Sequence, residues 1–157
     1  MGGTTRAEVP SLHRSERDVP FVDLGGGLWL QLVMVDLSAG LWVMRIRLEP
    51  GTVLLRHRHT GPVHAFTVSG RWRYQEYDDV NVAGSYLFEP AQSVHTLEAP
   101  GDNEGLTEVA FTILGSNLNL DDENRVVSVD SATSILELYR RRCAEAGLPE
   151  PAVIVTG

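Results

Sequence analysis

The chain has 157 residues, 43% of them hydrophobic and 22% charged, which suits one globular domain with a core of its own. Its formal net charge of −8 argues against nucleic acid as a partner, because phosphate contacts need a basic surface. All thirteen basic residues are arginine. The absence of lysine excludes a lysine Schiff base, a pyridoxal-phosphate anchor and a Walker-type phosphate loop.

Residues 1–20 are polar, with Arg, Glu, Ser and Pro interspersed, and carry no signal-peptide pattern. They are expected to form an N-terminal arm, either mobile or docked on another surface. No apolar run approaches the roughly 20 residues of a membrane span. The single cysteine, Cys143, rules out an internal disulfide and fits a reducing compartment. The expected location is therefore cytoplasmic, with no membrane partner.

From Phe21 onward the pattern is mostly strand, broken by glycine. Gly25-Gly26-Gly27 predicts a turn and Leu28–Val35 a strand. Leu41–Leu48 alternates most cleanly, with Trp42, Met44, Ile46 and Leu48 on one face and Arg45 and Arg47 on the other. After a turn at Pro50-Gly51, Val53, Leu55, His57 and His59 share one parity. If Val53 and Leu55 face the core, both histidines face it too. Further strand-like runs are Val63–Ser69, Arg71–Tyr77, Ser85–Glu89 and Thr107–Leu114. Short strands at this spacing suggest an antiparallel barrel or sandwich over residues 21–130. Residues 131–157 form a C-terminal helix and tail, with Asp130 or Ser131 as N-cap and Gly147 and Pro149 as the stop near Ala146.

Four of the five histidines lie between positions 57 and 95. Histidines at i and i+2 on a strand project from the same face, about 6.5 Å apart along the chain. Their imidazoles can converge on one ion at bond lengths of about 2.0–2.1 Å. A third ligand must come from a neighbouring strand, and His95 is the candidate.

The frame around these histidines resembles that of the cupin superfamily. Gly51-Thr-Val-Leu-Leu-Arg-His57-Arg-His59, closed by Gly70, is similar to the first cupin motif. Gly84-Ser-Tyr-Leu-Phe-Glu-Pro90-Ala-Gln-Ser-Val-His95 is similar to the second. The resemblance implies a mainly β, single-domain double-stranded β-helix, or jelly-roll barrel, with a C-terminal α-helix. It also implies a homodimer or homotetramer. Two departures stand out: Gln92 occupies a position that is usually glycine, and Ala99 one that is often asparagine. A third concerns the usual ligating glutamate. Counted forward from His59 its place falls on His64, and counted back from Gly70 it falls on Val63. The resemblance thus implies a centre of His57, His59 and His95, with His64, Glu76 or water as the fourth member. His64, which shares parity with Phe66 and Val68, reads more readily as a buried histidine, or one behind the ligands, than as a ligand. Glu76 shares parity with Trp72 and Tyr74, and reads equally as an exposed residue at a strand end.

Within the cupins, the segment from His57 to Tyr74 resembles that of the 2,4'-dihydroxyacetophenone dioxygenases, and the tail Phe111–Val126 is similar to that of these enzymes and of the acetylacetone dioxygenases. That likeness implies one divalent ion, Fe(II) first and Zn or Ni as alternatives. With dioxygen, it would cleave a carbon–carbon bond of a small hydroxyketone or diketone. Phe66, Trp72 and Tyr74 are expected to line the ketone pocket. A non-catalytic sensor module, or a Zn or Ni isomerase or hydrolase, is the rival reading.

Overall fold

A computed structural model describes residues 8–157; of the arm expected over residues 1–20, residues 1–7 lie outside the described residues. The strands are β1 (Val22–Gly25), β2 (Leu28–Asp36), β3 (Leu41–Leu48), β4 (His57–His59), β5 (Val63–Ser69), β6 (Arg71–Tyr74) and β7 (Val80–Val82), followed by β8 (Tyr86–Glu89), β9 (Val94–His95) and β10 (Leu97–Glu98). After these come β11 (Thr107–Leu114), β12 (Asn117–Leu120), β13 (Val126–Asp130), helix α1 (Ala132–Glu145) and β14 (Ile154–Thr156).

The largest sheet runs β1-β2-β3-β11-β5-β8, with β14 added in parallel to β2. A second sheet has the order β13-β12-β4-β9 and a third β10-β6-β7. All pairings but that of β14 are antiparallel. Alternation explains which faces are buried. On β3, Trp42, Ile46 and Leu48 enter the core while Arg45 and Arg47 point outward. On β5, Val63, Ala65 and Thr67 are buried, whereas Phe66 and Val68 are exposed. The turn from β5 to β6 requires Gly70. Its φ is +76°, and a Cβ there would lie 2.6 Å from the Thr107 Cα.

The two outward arginines of β3 tie down the segment before β1. Both bond Glu108 on β11, at 2.7 Å from Arg45 and 2.8 Å from Arg47. Both also reach Glu16, and the Arg47 guanidinium sits 3.7 Å from the centre of the Phe21 ring. Val19 is buried, and the Tyr139 hydroxyl of α1 donates to the Pro20 carbonyl at 2.6 Å. Residues 14–20 are therefore docked on the protein's own barrel.

Helix α1 begins where its cap residues predict. Ser131 accepts from the Ser134 N–H, and the Ser134 hydroxyl accepts from the Ser131 N–H, closing a capping box. Ile135, Leu136 and Tyr139 are buried against the sheet, so the helix packs alongside β1 and β2.

Candidate metal centre

β4 is three residues long and lies between β12 and β9. Its alternation sends His57 and His59 inward and Arg58 to the opposite face. The register pairs His57 with His95 across to β9, so the third histidine arrives from the adjoining strand. All three are buried. The premise for their parity does not hold, however. Val53 and Leu55 precede the regular strand and are more than half exposed; the face shared by the histidines is set by β4 and its neighbours.

The ring nitrogens converge. His57 Nε2 lies 3.2 Å from His59 Nε2, which lies 3.0 Å from His95 Nε2. Such separations match the edges of a coordination shell with metal–nitrogen bonds of about 2.0–2.1 Å. His57 Nδ1 is 3.0 Å from the Leu55 carbonyl. That acceptor fixes the proton on Nδ1 and leaves the Nε2 lone pair facing the cluster. Burial lowers the His57 pKa to about 4, assisted by the neighbouring histidines and opposed by the Leu55 hydrogen bond. A neutral imidazole is the form that binds a metal.

A buried carboxylate joins the histidines, and it is neither of the two expected. Glu89 Oε2 lies 2.8 Å from His59 Nε2 and 3.6 Å from His95 Nε2. Burial acts to raise the Glu89 pKa, but His59 and His95 outweigh it and hold the group at about 2. Glu89 Oε1 accepts from the Tyr74 hydroxyl. Oε2 has no hydrogen-bond partner despite its nearness to His59. Three clustered imidazole nitrogens beside an unpaired buried oxygen fit a divalent cation at their centre, because a cation would satisfy every one of these lone pairs. Strand parity gives Glu89 no signal, because the large apolar residues of β8, Tyr86 and Phe88, are on the exposed face. What could not be read was its register opposite the interior Val63.

The expected fourth members lie elsewhere. His64 projects from the outer face of β5, where its Nδ1 sits 2.7 Å from the Tyr86 hydroxyl. Glu76 follows the end of β6, and its two oxygens accept from the Thr96 N–H and hydroxyl, both at 2.8 Å. It thus anchors the residue next to His95 without entering the cluster. Its pKa is lowered because, although burial acts to raise it, the Thr96 hydrogen bonds outweigh burial.

The expected pocket residues divide. Phe66 is 57% exposed on the outer sheet face, so it cannot line an interior pocket. Trp72 is core, packed edge-on against Tyr74 and donating to Thr67 Oγ1 at 2.9 Å. Tyr74 does reach the centre, and its ring stacks on His95 at 3.7 Å. Burial, then the charge of Glu89, raises the Tyr74 pKa well above its ordinary value, so its hydroxyl keeps its proton.

The main cavity is a different space. It measures about 350 Å³ and runs from His57 between the sheet and α1, with Trp42, Ile135 and Leu138 among its walls. A smaller space of about 50 Å³ lies deeper, against His57, His59 and Tyr74. Asn117 borders both. A third space of about 220 Å³ opens on the other side, against Glu89 and His95.

The family model described as the ChrR cupin-like domain matches residues 12–115. The chain belongs to the ChrR cupin-like family. This cupin is 33% identical to a protein of unknown function with a cupin-like fold from Ralstonia eutropha JMP134. The match covers 94% of this chain and 96% of the other, with a TM-score of 0.80. It shares its fold with an acetylacetone dioxygenase from Acinetobacter johnsonii at 18% identity, 90% and 98% coverage and a TM-score of 0.72. The cupin fold is also found in a structure of Rhodobacter sphaeroides SigE in complex with the anti-sigma ChrR. There the identity is 19%, the coverage 64% of this chain and 51% of the other, and the TM-score 0.52. No curated protein matches this cupin. No helix among the described residues is long and apolar enough to cross a membrane.

Proposed function

We propose that this cupin is a metal-dependent dioxygenase that cleaves a carbon–carbon bond in a small hydroxyketone or diketone. His57, His59 and His95 hold one divalent ion, Fe(II) in the working enzyme. The observation that carries the reading is the junction of this buried cluster with an apolar cavity of about 350 Å³ that reaches His57. That volume falls at the lower end of the roughly 300–1,000 Å³ of small-molecule sites. A structural zinc site has no need of such a space.

Three neutral imidazoles and the nearby Glu89 carboxylate leave net positive charge on the ion, so a bound Fe(II) would supply acidification of a ketone's neighbouring C–H or O–H and activation of dioxygen. Glu89 is held ionised beside the cluster, on the side away from the main cavity, where its Oε2 would face the ion together with the imidazoles. Tyr74 keeps Glu89 oriented through Oε1. The fold shared with an acetylacetone dioxygenase supports the reading by analogy only.

The test is metal analysis of the protein as isolated, then oxygen uptake by the Fe(II)-loaded protein with hydroxyketones and diketones. For each O2 consumed, the expected products are two carboxylic acids from a hydroxyketone, or one carboxylic acid and one 1,2-dicarbonyl from a β-diketone. Stoichiometric Fe(II) with no uptake on any of these ketones overturns the dioxygenase reading.

A further inference from the structure

We propose that Asn117 on β12 and the α1 residues Ile135 and Leu138 select the substrate of this centre, an inference that rests on the ketone reading above. The β4–β12 register places Asn117 directly opposite His59, on a strand about 4.7–4.9 Å away. Asn117 borders both the small space at the histidines and the main cavity. Its Oδ1 is buried and has no hydrogen-bond partner. A buried carbonyl oxygen is seldom left unpaired, and here the missing partner is a donor that comes with the ligand. A ketone bearing a hydroxyl next to its carbonyl brings that donor to the histidine end of the cavity, whereas a simple ketone does not.

The remaining walls are mostly apolar, and of the other polar residues among them Asn119 donates its Nδ2–H to Asp130 Oδ2 at 2.9 Å. Ile135 and Leu138 roof the cavity from α1, and Trp42 contributes only its apolar face, because its Nε1–H is spent on the Gly115 carbonyl at 2.9 Å. The capping box at Ser131 fixes where α1 begins and so where these two side chains sit. All three selecting residues lie beyond residue 115, outside the segment matched to the family. The metal-holding frame and the substrate-selecting wall are thus different stretches of chain. The ligand assigned to this wall has a hydroxyl facing Asn117 and an apolar body, such as a phenyl ring, beneath α1.

The experiment uses the full chain loaded with Zn(II), which binds imidazole but does not turn over with dioxygen. Calorimetry then measures the Kd of phenacyl alcohol, of acetophenone, which lacks the hydroxyl, and of hydroxyacetone, which lacks the ring. Phenacyl alcohol is expected to bind about tenfold or more tightly than either. Asn117→Leu should bring phenacyl alcohol to the level of acetophenone. Leu138→Phe should weaken both aryl probes about tenfold and leave hydroxyacetone unchanged. Should Leu138→Phe not fold, Leu138→Ala serves instead, with a naphthyl ketone gaining affinity relative to acetophenone. Equal affinity for the three probes, no binding of any, or indifference of phenacyl alcohol to Asn117→Leu overturns the assignment. Failure to bind Zn(II) would instead strike the metal centre. Selective binding without oxygen uptake by the Fe(II) protein would strike the dioxygenase reading and leave this one standing.

Discussion

Tyr74 lies flat on the ring of His95, 3.7 Å between centroids and 15° from parallel, while its hydroxyl donates to Glu89. One residue therefore orients both a candidate ligand and the carboxylate beside it, through separate parts of its side chain. The two roles can be divided by substitution. Tyr74→Phe keeps the ring and frees Glu89, so metal stoichiometry should hold while turnover falls about tenfold or more. Tyr74→Leu removes the stack as well, and the metal Kd should then rise roughly 10–100-fold, as for loss of an orienting group behind a ligand. Equal metal loss in both variants would mean that the hydroxyl, not the ring, positions His95.

Metal should be a folding ligand as much as a reactive one. Cations that bind only the folded state add stability by mass action, roughly 2.7 kcal/mol at a hundred times Kd. For a chain of this size that corresponds to a rise in Tm of about 5 °C or more. Thermal unfolding with saturating Zn(II) and with excess chelator should differ by that amount. His57→Ala or His95→Ala should abolish the difference without lowering the Tm of the chelated protein to the same degree. A chelator-insensitive Tm would argue against a metal at the three histidines.

The acid limb of stability follows from His57 and Glu89. His57 has a folded pKa of about 4 against an ordinary 6.5, so between those values the unfolded chain binds the extra proton. Stability must then fall as pH drops from about 6.5 to 4, by up to roughly 3 kcal/mol from this residue. Glu89 is depressed to about 2 from 4.5. Its contribution is present above pH 4.5 and is lost as pH falls from there toward 2. Urea unfolding of the metal-free protein at pH 7 and pH 5 should show the first loss, and His57→Gln should flatten it. A metal-free protein of equal stability at both pH values would contradict the buried, neutral His57.

How much of this was legible in the sequence depends on where each signal resides. β3, β5 and β11 are read from alternation because one face of each is core. Helix α1 is read from Ser131 and Gly147, because caps are local chemistry. His57 and His59 are legible as a pair, since strand parity is a property of adjacent residues. Glu89 and Asn117 are not, because each meets the histidines through a register between distant strands. The β12–β13 hairpin hides for another reason: Val126, Val127 and Val129 are about half exposed, so burial imposes no period. β14 depends on a parallel pairing more than a hundred residues away. Phe66 lies on the outer face of β5, and an aromatic residue on a strand carries no mark in the sequence of which face is inside.

Gln92 offers a test that is independent of activity. It stands where the second cupin motif usually has glycine, and its φ is +70°, in the region that L side chains avoid. The conformation is imposed by the turn, in which the Gln92 N–H donates to the His59 carbonyl at 2.7 Å and the Ser93 N–H to the Pro90 carbonyl. The Gln92 side chain is exposed, so it offsets little of the strain. A left-handed non-glycine residue costs roughly 1–2 kcal/mol, whereas glycine adds unfolded-state entropy worth about 0.5–1 kcal/mol. Gln92→Gly should therefore stabilise the metal-free protein by about 0.5–1 kcal/mol, measured as a higher urea midpoint at unchanged slope. The same turn joins His59 to the approach to His95, so the variant should also bind Zn(II) at full stoichiometry. A lower midpoint would show that the turn does not hold Gln92 in the left-handed conformation.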